Sequence, residues 1–211
     1  MEILKNFVVF EGCDGSGTTT QLNILEDFFL HCKTRSMPPF CKTFEPTNGS
    51  IGKLIRQNLR KEITFNPVSM AFLFAADRSE HLYAANGVLE RCKQGELVVC
   101  DRYILSSIAY QGIECGEELP ERLNNNFPGP ELLLFFDIDP EIAQKRMENR
   151  DIKEIYEYID FQIEVRSRYK RLLPIIAGQG TIVKEIDASM PVEEVHKEVW
   201  SLIKELPIIK G

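Results

Sequence analysis

A strand, a glycine-rich loop and a helix start follow one another within residues 7–21, whose sequence is FVVFEGCDGSGTTTQ. The run at residues 7–10 combines β-branched and aromatic side chains, which favours a buried strand. Gly12, Gly15 and Gly17 then allow successive backbone N–H groups to point inward without a Cβ clash. Because these amides and the positive end of the following helix suit a polyphosphate, the segment predicts a phosphate-binding loop.

Thr18 is where this segment departs from the common phosphate-loop pattern. The pattern GxxxxGK[ST] matches residues 12–19, except that Thr18 occupies the lysine position. Thr19 still supplies the hydroxyl that normally binds Mg²⁺. Taken by itself, this stretch is also compatible with a glycine-rich turn that binds nothing, so the rest of the chain has to decide between the two interpretations.

The length and charge of the chain limit the classes of protein it can belong to. Its 211 residues are enough for one domain with a core of its own. The formal net charge of −7 argues against a broad nucleic-acid or anionic-membrane surface. No apolar run reaches the roughly 18 residues of a membrane span, residues 1–6 lack a signal-peptide layout, and the six cysteines show no C-x-x-C spacing. We expect a cytoplasmic protein with reduced thiols and no nucleic-acid or membrane partner.

Apolar strand segments alternate with helical patterns along the chain, which predicts an α/β fold with a parallel sheet covered on both faces. We place the five strands at residues 7–10, 40–44, 96–100, 132–136 and 181–186. Ligands bind such sheets beyond the carboxyl ends of the strands. The polar residues that follow four of the strands therefore converge on one edge: residues 12–18, Glu45, Asp101 with Arg102, and Asp137.

The helical patterns between the strands are less sharply bounded. Asn66 followed by Pro67 predicts the start of one helix that runs to about Cys92. The residues between about Gln111 and Pro130 are rich in Gly, Pro and Asn and predict a connection without regular structure. Further on, residues 141–176 predict a long charged helical region with a bend at residues 150–154, and residues 191–206 predict an amphipathic helix.

Several segments in the right order resemble thymidylate kinases, which transfer the γ-phosphoryl group of ATP to dTMP. They are residues 10–17 (FEGCDGSG), residues 72–78 (FLFAADR), the D-R-Y, S-S and A-Y-Q-G groups within residues 101–112, and looser matches within residues 45–56 and 146–169. The resemblance implies the three-layer phosphate-loop kinase fold as a single domain over residues 1–211. It also implies a short lid at about residues 146–158.

The resemblance implies ATP as the phosphoryl donor and Mg²⁺ as its cofactor. Asp101 and Thr19 would bind the ion, directly or through water. Arg146 or Arg150 would cover the adenine. The ATP site that the resemblance implies consists of Gly12, Cys13, Asp14, Gly15, Ser16, Gly17, Thr18, Thr19, Thr20 and Arg146.

The resemblance also assigns dTMP contacts to aromatic and arginine side chains. Phe74 would stack on the thymine ring, although a core residue beside Phe72 and Leu73 is the alternative for this position. Arg78, one helical turn later, would approach the carbonyl edge of the base or the 5′-phosphate. Arg102 would grip the acceptor phosphate with its planar guanidinium, the alternative being a surface salt bridge with the neighbouring carboxylate, Asp101.

The remaining dTMP contacts that the resemblance implies are polar or aromatic. The carboxylate of Asp14 would hydrogen-bond the 3′-hydroxyl of the deoxyribose. Tyr110 would lie where a 2′-hydroxyl projects, which disfavours ribonucleotides. Ser107 and Gln111 would face the base, and the dTMP site would also include Phe44 and Tyr156.

Two departures from the family concern positive charge. Thr18 replaces the loop lysine, and Ile155 precedes the Tyr156 position where a lid arginine is usual. One placed cation in phosphoryl transfer can be worth about 10³–10⁵ in rate, whereas a threonine brings no charge to the β–γ bridge. The candidates to replace it are Lys153 and Arg150, carried in by closure of the lid. With Arg102 and Asp101 they would form the catalytic set.

Three interpretations of function remain open at this point. The first is an active dTMP kinase, and the second is the same fold with another nucleoside monophosphate as acceptor. The third is a nucleotide-binding protein with little or no transferase activity, which the absence of the loop lysine at Thr18 favours and the intact acceptor side opposes. By resemblance the protein is expected to form a homodimer through helices that lie away from the ligand edge.

Overall fold

The five parallel strands of the described part of the chain form one sheet in the order β2-β3-β1-β4-β5. The computed structural model describes residues 1–32, 37–147, 156 and 158–210. The strands are β1 (Ile3–Gly12), β2 (Phe40–Phe44), β3 (Leu97–Asp101), β4 (Gly129–Asp137) and β5 (Ile182–Asp187). The predicted α/β fold with a five-stranded parallel sheet is confirmed, and each predicted strand lies at or within about two residues of its place except that β1 and β4 extend further.

The helices of the described ranges connect these strands and cover both faces of the sheet. They are α1 (Thr18–His31), α2 (Ser50–Leu59), α3 (Pro67–Tyr83), α4 (Val88–Lys93), α5 (Ile104–Cys115), α6 (Glu118–Asn124), α7 (Pro140–Met147), α8 (Ile159–Gly178), α9 (Val192–Ile203) and α10 (Pro207–Lys210). Within these ranges, no helix combines the length and the apolar character needed to cross a membrane.

The alternation of side chains along β1 gives the sheet two cores. Phe7 and Val9 point to one face, where they pack with residues of α2, α3, α5 and α8. Val8 and Phe10 point to the other face and pack with residues of α1 and α9. A strand buried on both faces has to be apolar at consecutive positions, which is why the run FVVF is continuous rather than alternating.

The prediction of one helix from Pro67 to about Cys92 is wrong. Helix α3 ends at Tyr83, and α4 begins at Val88. Asn86 has a left-handed φ of 58°, and a Cβ on Gly87 would lie 2.8 Å from the carbonyl oxygens of two preceding residues. The Asn-Gly pair therefore makes a turn that an uninterrupted helix cannot contain.

The predicted irregular connection up to Pro130 is also wrong in part, because helix α6 lies within it. Its residue Asn124 is buried and donates through Nδ2 to the carbonyl oxygen of Pro120 at 2.7 Å. The predicted helical region at 141–176 is divided into α7 and α8. The bend predicted at residues 150–154, and most of the predicted lid, lie outside the described residues.

Strand register brings the polar strand ends together. Phe10 of β1 and Phe44 of β2 both pair with Asp101 of β3, and Gly12 pairs with Phe136 of β4. The N–H of Glu45 donates to the carbonyl oxygen of Asp101 at 3.0 Å, which continues the pairing past the end of β2. The carboxyl ends of the four strands are therefore level, as the sequence predicted.

The packing of α1 against the sheet leads to a matched stability test. Leu25 is fully buried, whereas Leu30 on the same helix is 73% exposed. We expect Leu25→Ala to lower the free energy of unfolding by about 2–5 kcal/mol through lost burial and a cavity. Leu30→Ala should change it by less than about 0.5 kcal/mol. Urea unfolding followed by circular dichroism measures both; equal losses would contradict the assigned packing of α1.

Candidate functional site

The loop between β1 and α1 has the conformation that its glycines make possible. Gly15 and Gly17 have φ angles of 80° and 90°, in the left-handed region that other residues rarely adopt. A Cβ on Gly15 would lie 2.7 Å from the carbonyl oxygen of Ala143 on α7, so the loop packs too closely there for a side chain. Helix α1 begins at Thr18 without a side-chain cap in the described structure. Its first N–H groups therefore remain available to an anion.

Two cavities lie at the carboxyl edge of the sheet and share part of their walls. The first, here called the loop cavity, has about 630 Å³ and lies along the loop, the start of α1 and the β5–α9 connection. The second, the strand-end cavity, has about 470 Å³ and lies over the ends of β2 and β3. Asp14, Thr19 and Arg102 line both cavities. The two spaces therefore meet at one acidic, one hydroxyl and one cationic side chain.

Asp14 and Arg102 form an ion pair at this junction. Nη2 of Arg102 lies 2.5 Å from Oδ1 of Asp14. For Arg102 the sequence also allowed a salt bridge with Asp101, and this contact does not occur among the ion pairs of the described residues. Gln162 of α8 fixes the other side of Asp14, because its Nε2 donates to Oδ2 at 2.7 Å and its Oε1 accepts the N–H of Asp14 at 3.1 Å. Gln162 was not predicted, since no spacing in the sequence links it to the loop 148 residues earlier.

The backbone of Arg102 is held in an unusual conformation. Its φ of 69° is left-handed, which costs a residue with a side chain about 1–3 kcal/mol. Its N–H donates to the carbonyl oxygen of Phe10 at 2.8 Å. Its guanidinium lies 5.1 Å from the centre of the Tyr110 ring and 3.4 Å from Oγ of Ser106. These contacts direct the guanidinium of Arg102 toward the junction of the two cavities.

Glu11, near the end of β1, holds the backbone that follows Arg102 through hydrogen bonds. Its fully buried carboxylate accepts the N–H groups of Tyr103 at 3.0 Å and Ser106 at 3.2 Å. It also accepts the hydroxyl groups of Ser106 at 2.5 Å and Tyr169 at 2.9 Å. Burial raises the pKa of Glu11, and these hydrogen bonds oppose the rise by favouring the ionised form. The carboxylate thereby caps the start of α5, a role that the sequence did not reveal.

Thr19 and Asp101 have the arrangement expected of ligands to a hard cation. Oγ1 of Thr19 donates to Oδ2 of Asp101 at 2.5 Å. Oδ1 of Asp101 is buried and has no hydrogen-bond partner among the described residues. An unpaired buried carboxylate oxygen beside a hydroxyl fits Mg²⁺, which proteins bind through one or two carboxylates together with phosphates and water. Within the described ranges, no cluster of three His, Cys, Asp or Glu side chains could hold a metal alone.

Cys13 contributes a neutral group to the loop cavity. Burial raises the pKa of its thiol to about 12, and the neighbouring Asp14 carboxylate adds to the rise. The thiol is therefore protonated at neutral pH and adds no negative charge where an anion would bind.

The strand-end cavity is lined by most of the residues that the sequence assigned to dTMP. Besides Asp14 and Arg102, these are Phe44, Phe74, Tyr110, Gln111 and Tyr156. Arg78 and Ser107 do not line it. Arg78 is only 1% exposed, and its guanidinium pairs with the carboxylate of Glu45 through Nε at 2.9 Å and Nη2 at 2.7 Å. Its Nη2 also donates to Oγ of Ser107 at 3.1 Å, and its Nη1 donates to Oδ1 of Asn124. The base contacts predicted for Arg78 and Ser107 stay predictions.

At the far end of the loop cavity, Arg146 lies against the β5–α9 connection. Its Nη1 donates to the carbonyl oxygen of Ala188 at 2.9 Å, and its Nη2 to that of Ser189 at 3.3 Å. Arg146 and the segment at residues 188–192 line this end together. The other predicted cations, Arg150 and Lys153, lie outside the described residues.

Comparisons with known proteins agree with the geometry. The family model described as thymidylate kinase matches residues 10–199. A protein of Treponema pallidum is 40% identical to this chain over 213 residues, and the match covers 100% of both chains. A protein of Pyrobaculum aerophilum is 40% identical over 199 residues, and the match covers 94% of this chain and 96% of the relative. One of Clostridium novyi is 32% identical over 209 residues, covering 94% and 98%. The names of all three contain the words thymidylate kinase. The chain belongs to the thymidylate kinase family.

Proposed function

We propose that the protein transfers the γ-phosphoryl group of ATP to dTMP, giving dTDP and ADP. Family membership supports this proposal, and one geometric observation carries it. The loop cavity and the strand-end cavity meet at Asp14, Thr19 and Arg102. Two ligands seated in these cavities would bring their phosphates together at that junction, and in-line positioning of donor and acceptor is most of what phosphoryl transfer requires.

On the donor side, the loop and the start of α1 bind the phosphates of ATP. The free N–H groups of the loop donate to phosphate oxygens, and the helix dipole adds partial positive charge. Thr19 and Asp101 would hold Mg²⁺, which would offset phosphate charge during transfer. Arg146 and residues 188–192 would hold the adenine at the far end of the cavity.

On the acceptor side, Arg102 binds the 5′-phosphate of dTMP and holds it at the junction. The ion pair with Asp14 keeps the guanidinium directed there in the absence of substrate. Asp14 is also the group proposed to accept the 3′-hydroxyl, with Gln162 fixing its carboxylate. Phe74 stacks on the base, and Tyr110 excludes a 2′-hydroxyl. Phe44, Gln111 and Tyr156 also line this cavity.

A panel of monophosphates tests the proposal. Purified protein with ATP and Mg²⁺ should release ADP selectively with dTMP when dTMP, dUMP, dGMP and dCMP are compared in a coupled assay. Chelation of the metal with EDTA should abolish turnover, and Asp101→Asn should lower kcat about 10²-fold or more because it removes a proposed metal ligand. A different preferred acceptor would establish another monophosphate kinase instead.

A second candidate function is nucleotide binding without transfer, which the threonine at position 18 favours. The same panel distinguishes it, because this candidate requires that ATP and dTMP bind while ADP release stays at the background rate. Failure to bind dTMP would contradict both candidates.

The charge that Thr18 cannot supply is proposed to come from Lys153 or Arg150. Arg102 and Arg146 are the described cations that line the loop cavity, and Arg146 is held at the adenine end by two carbonyl oxygens. We expect Lys153→Ala or Arg150→Ala to lower kcat by about 10²-fold or more, in line with the loss of a transition-state cation. Lys61→Ala, a surface change away from both cavities, is the control. If Lys153→Ala and Arg150→Ala both keep the wild-type kcat, this proposal is wrong.

We propose that the protein is a cytoplasmic homodimer. Val68 and Phe72, 47% and 51% exposed, lie one turn apart on α3 and form an apolar surface that a second copy would cover. Sedimentation of the purified protein should give twice the mass of one chain, and Phe72→Asp should give the monomer, whereas Leu30→Asp on another face should not. The protein should also fractionate with the cytosol. A monomeric wild-type protein at micromolar concentration would contradict the assignment.

A further inference from the structure

One wall of the strand-end cavity carries a lysine that the proposed ATP and dTMP contacts do not include. Lys42 of β2 lines this cavity, together with Thr19 and Asn23 of α1. The side chain of Lys42 is 26% exposed, so it is partly withdrawn from solvent. Lys42 and Phe44 are two residues apart on β2 and therefore point to the same face of the sheet. The lysine thus lies just below the strand end, on the side of the cavity that faces α1.

Two side chains of α1 hold the ammonium group of Lys42 and use two of its hydrogens. Nζ donates to Oε2 of Glu26 at 2.5 Å and to Oδ1 of Asn23 at 3.0 Å. A lysine ammonium has three donors, and no other described residue accepts the third. Asn23 lines the cavity, whereas Glu26 does not. The third hydrogen is therefore available to a ligand in the cavity.

Helix α1 connects the position of Lys42 with the junction of the two cavities. Thr19 and Asn23 are four residues apart and lie on one face of the helix, about 6 Å apart along its axis. Thr19 is one of the three side chains at the junction, and Asn23 contacts Lys42. The four-carbon stem of a lysine is flexible. The ammonium group can therefore move toward the junction by the length of about one helical turn.

The charge at the junction favours a second cation beside a bound phosphate. A phosphate monoester carries a charge of about −1.5 to −2 at pH 7. The positive charge of Arg102 is already offset by Asp14, whose Oδ1 lies 2.5 Å from Nη2 of the arginine. Arg56 also lines the cavity, but its guanidinium donates to three backbone carbonyl oxygens within residues 46–52. Lys42 offers both an additional positive charge and an unused hydrogen.

We propose that Lys42 is a second phosphate-binding cation of the strand-end cavity, and that it exchanges Glu26 for the 5′-phosphate when the acceptor nucleotide binds. The phosphate is the stronger partner, because it carries more charge than a carboxylate and has three acceptor oxygens. Without a nucleotide, Glu26 and Asn23 keep the ammonium group beside the cavity. The inference rests on the proposed function, because it takes the strand-end cavity as the acceptor site. Lys42 contacts the substrate, whereas Asn23 and Glu26 are positioning residues.

The test compares dTMP with thymidine, which lacks the 5′-phosphate, by calorimetric binding and competition without ATP. Lys42→Met should weaken dTMP binding by about 10-fold or more, the effect of losing a hydrogen bond to a charged group. The affinity for thymidine should stay unchanged. Lys42→Arg keeps the positive charge and should bind dTMP within about 3-fold of the wild-type protein.

Lys5 provides the matched control for these variants. It also forms a lysine–glutamate pair, with Nζ 3.1 Å from Oε1 of Glu131, and neither residue lines the two cavities. Lys5→Met removes the same charge from the protein as Lys42→Met. It should keep the wild-type affinity for dTMP, which shows that the change of net charge alone is not the cause of the loss.

Glu26→Gln distinguishes phosphate binding from a salt bridge that only joins β2 to α1. This variant removes the carboxylate that competes with the phosphate for Lys42. It should therefore bind dTMP as tightly as the wild-type protein, or up to about 10-fold more tightly. A bridge with a structural role alone predicts instead that Glu26→Gln and Lys42→Met have the same effect, and that both variants change the binding of dTMP and thymidine alike.

The outcomes separate this inference from the proposed function. If the wild-type protein phosphorylates dTMP and Lys42→Met binds dTMP with wild-type affinity, the second cation is refuted and the function stands. Equal losses for dTMP and thymidine, or equal losses in Lys42→Met and Glu26→Gln, refute it as well. If the wild-type protein binds no pyrimidine monophosphate, the acceptor site itself is wrong and both proposals fall.

Discussion

The buried carboxylate of Glu11 is the interaction on which the rest of the site depends. A buried charge is expensive unless it is hydrogen-bonded, and Glu11 accepts two backbone N–H groups at the start of α5 and two hydroxyl groups. Those bonds fasten the end of β1, which leads into the phosphate loop, to the turn that carries Arg102. The strained backbone of Arg102 is stable there because Phe10 and Glu11 hold both sides of the turn. The distance between loop and arginine is thus set by the sheet itself.

One buried glutamine orients the acidic side chain at the junction of the two cavities. Gln162 of α8 donates to the Asp14 carboxylate and accepts the N–H of the same residue. An amide suits both tasks, because it offers a donor and an acceptor without a charge that burial would penalise. Three charged groups, Arg102, Asp14 and Asp101, lie at or beside the junction where phosphates would meet.

Much of the fold and part of the site could be predicted because the signals are local. Continuous apolar runs predicted the strands, and the parallel topology placed their polar ends on one edge, so that the positions of Asp14, Asp101 and Arg102 followed from the sequence alone. The break between α3 and α4 was also signalled locally, by Asn86 and Gly87, but the strong helical pattern on either side obscured it. The roles of Glu11 and Gln162 depend on partners far away in the sequence, so the residues next to them give no local signal of these roles. Glu11 and Tyr169, for example, are 158 residues apart.

The central claim is that one chain seats a donor and an acceptor nucleotide whose phosphates meet between Asp14, Thr19 and Arg102. The most direct measurement is calorimetric binding of a single molecule that joins adenosine and thymidine through a chain of five phosphates. If the cavities are continuous as described, it binds once per chain, more tightly than either mononucleotide, and is displaced by both ATP and dTMP. Displacement by only one of the two, or no gain in affinity over the separate nucleotides, would contradict the claim.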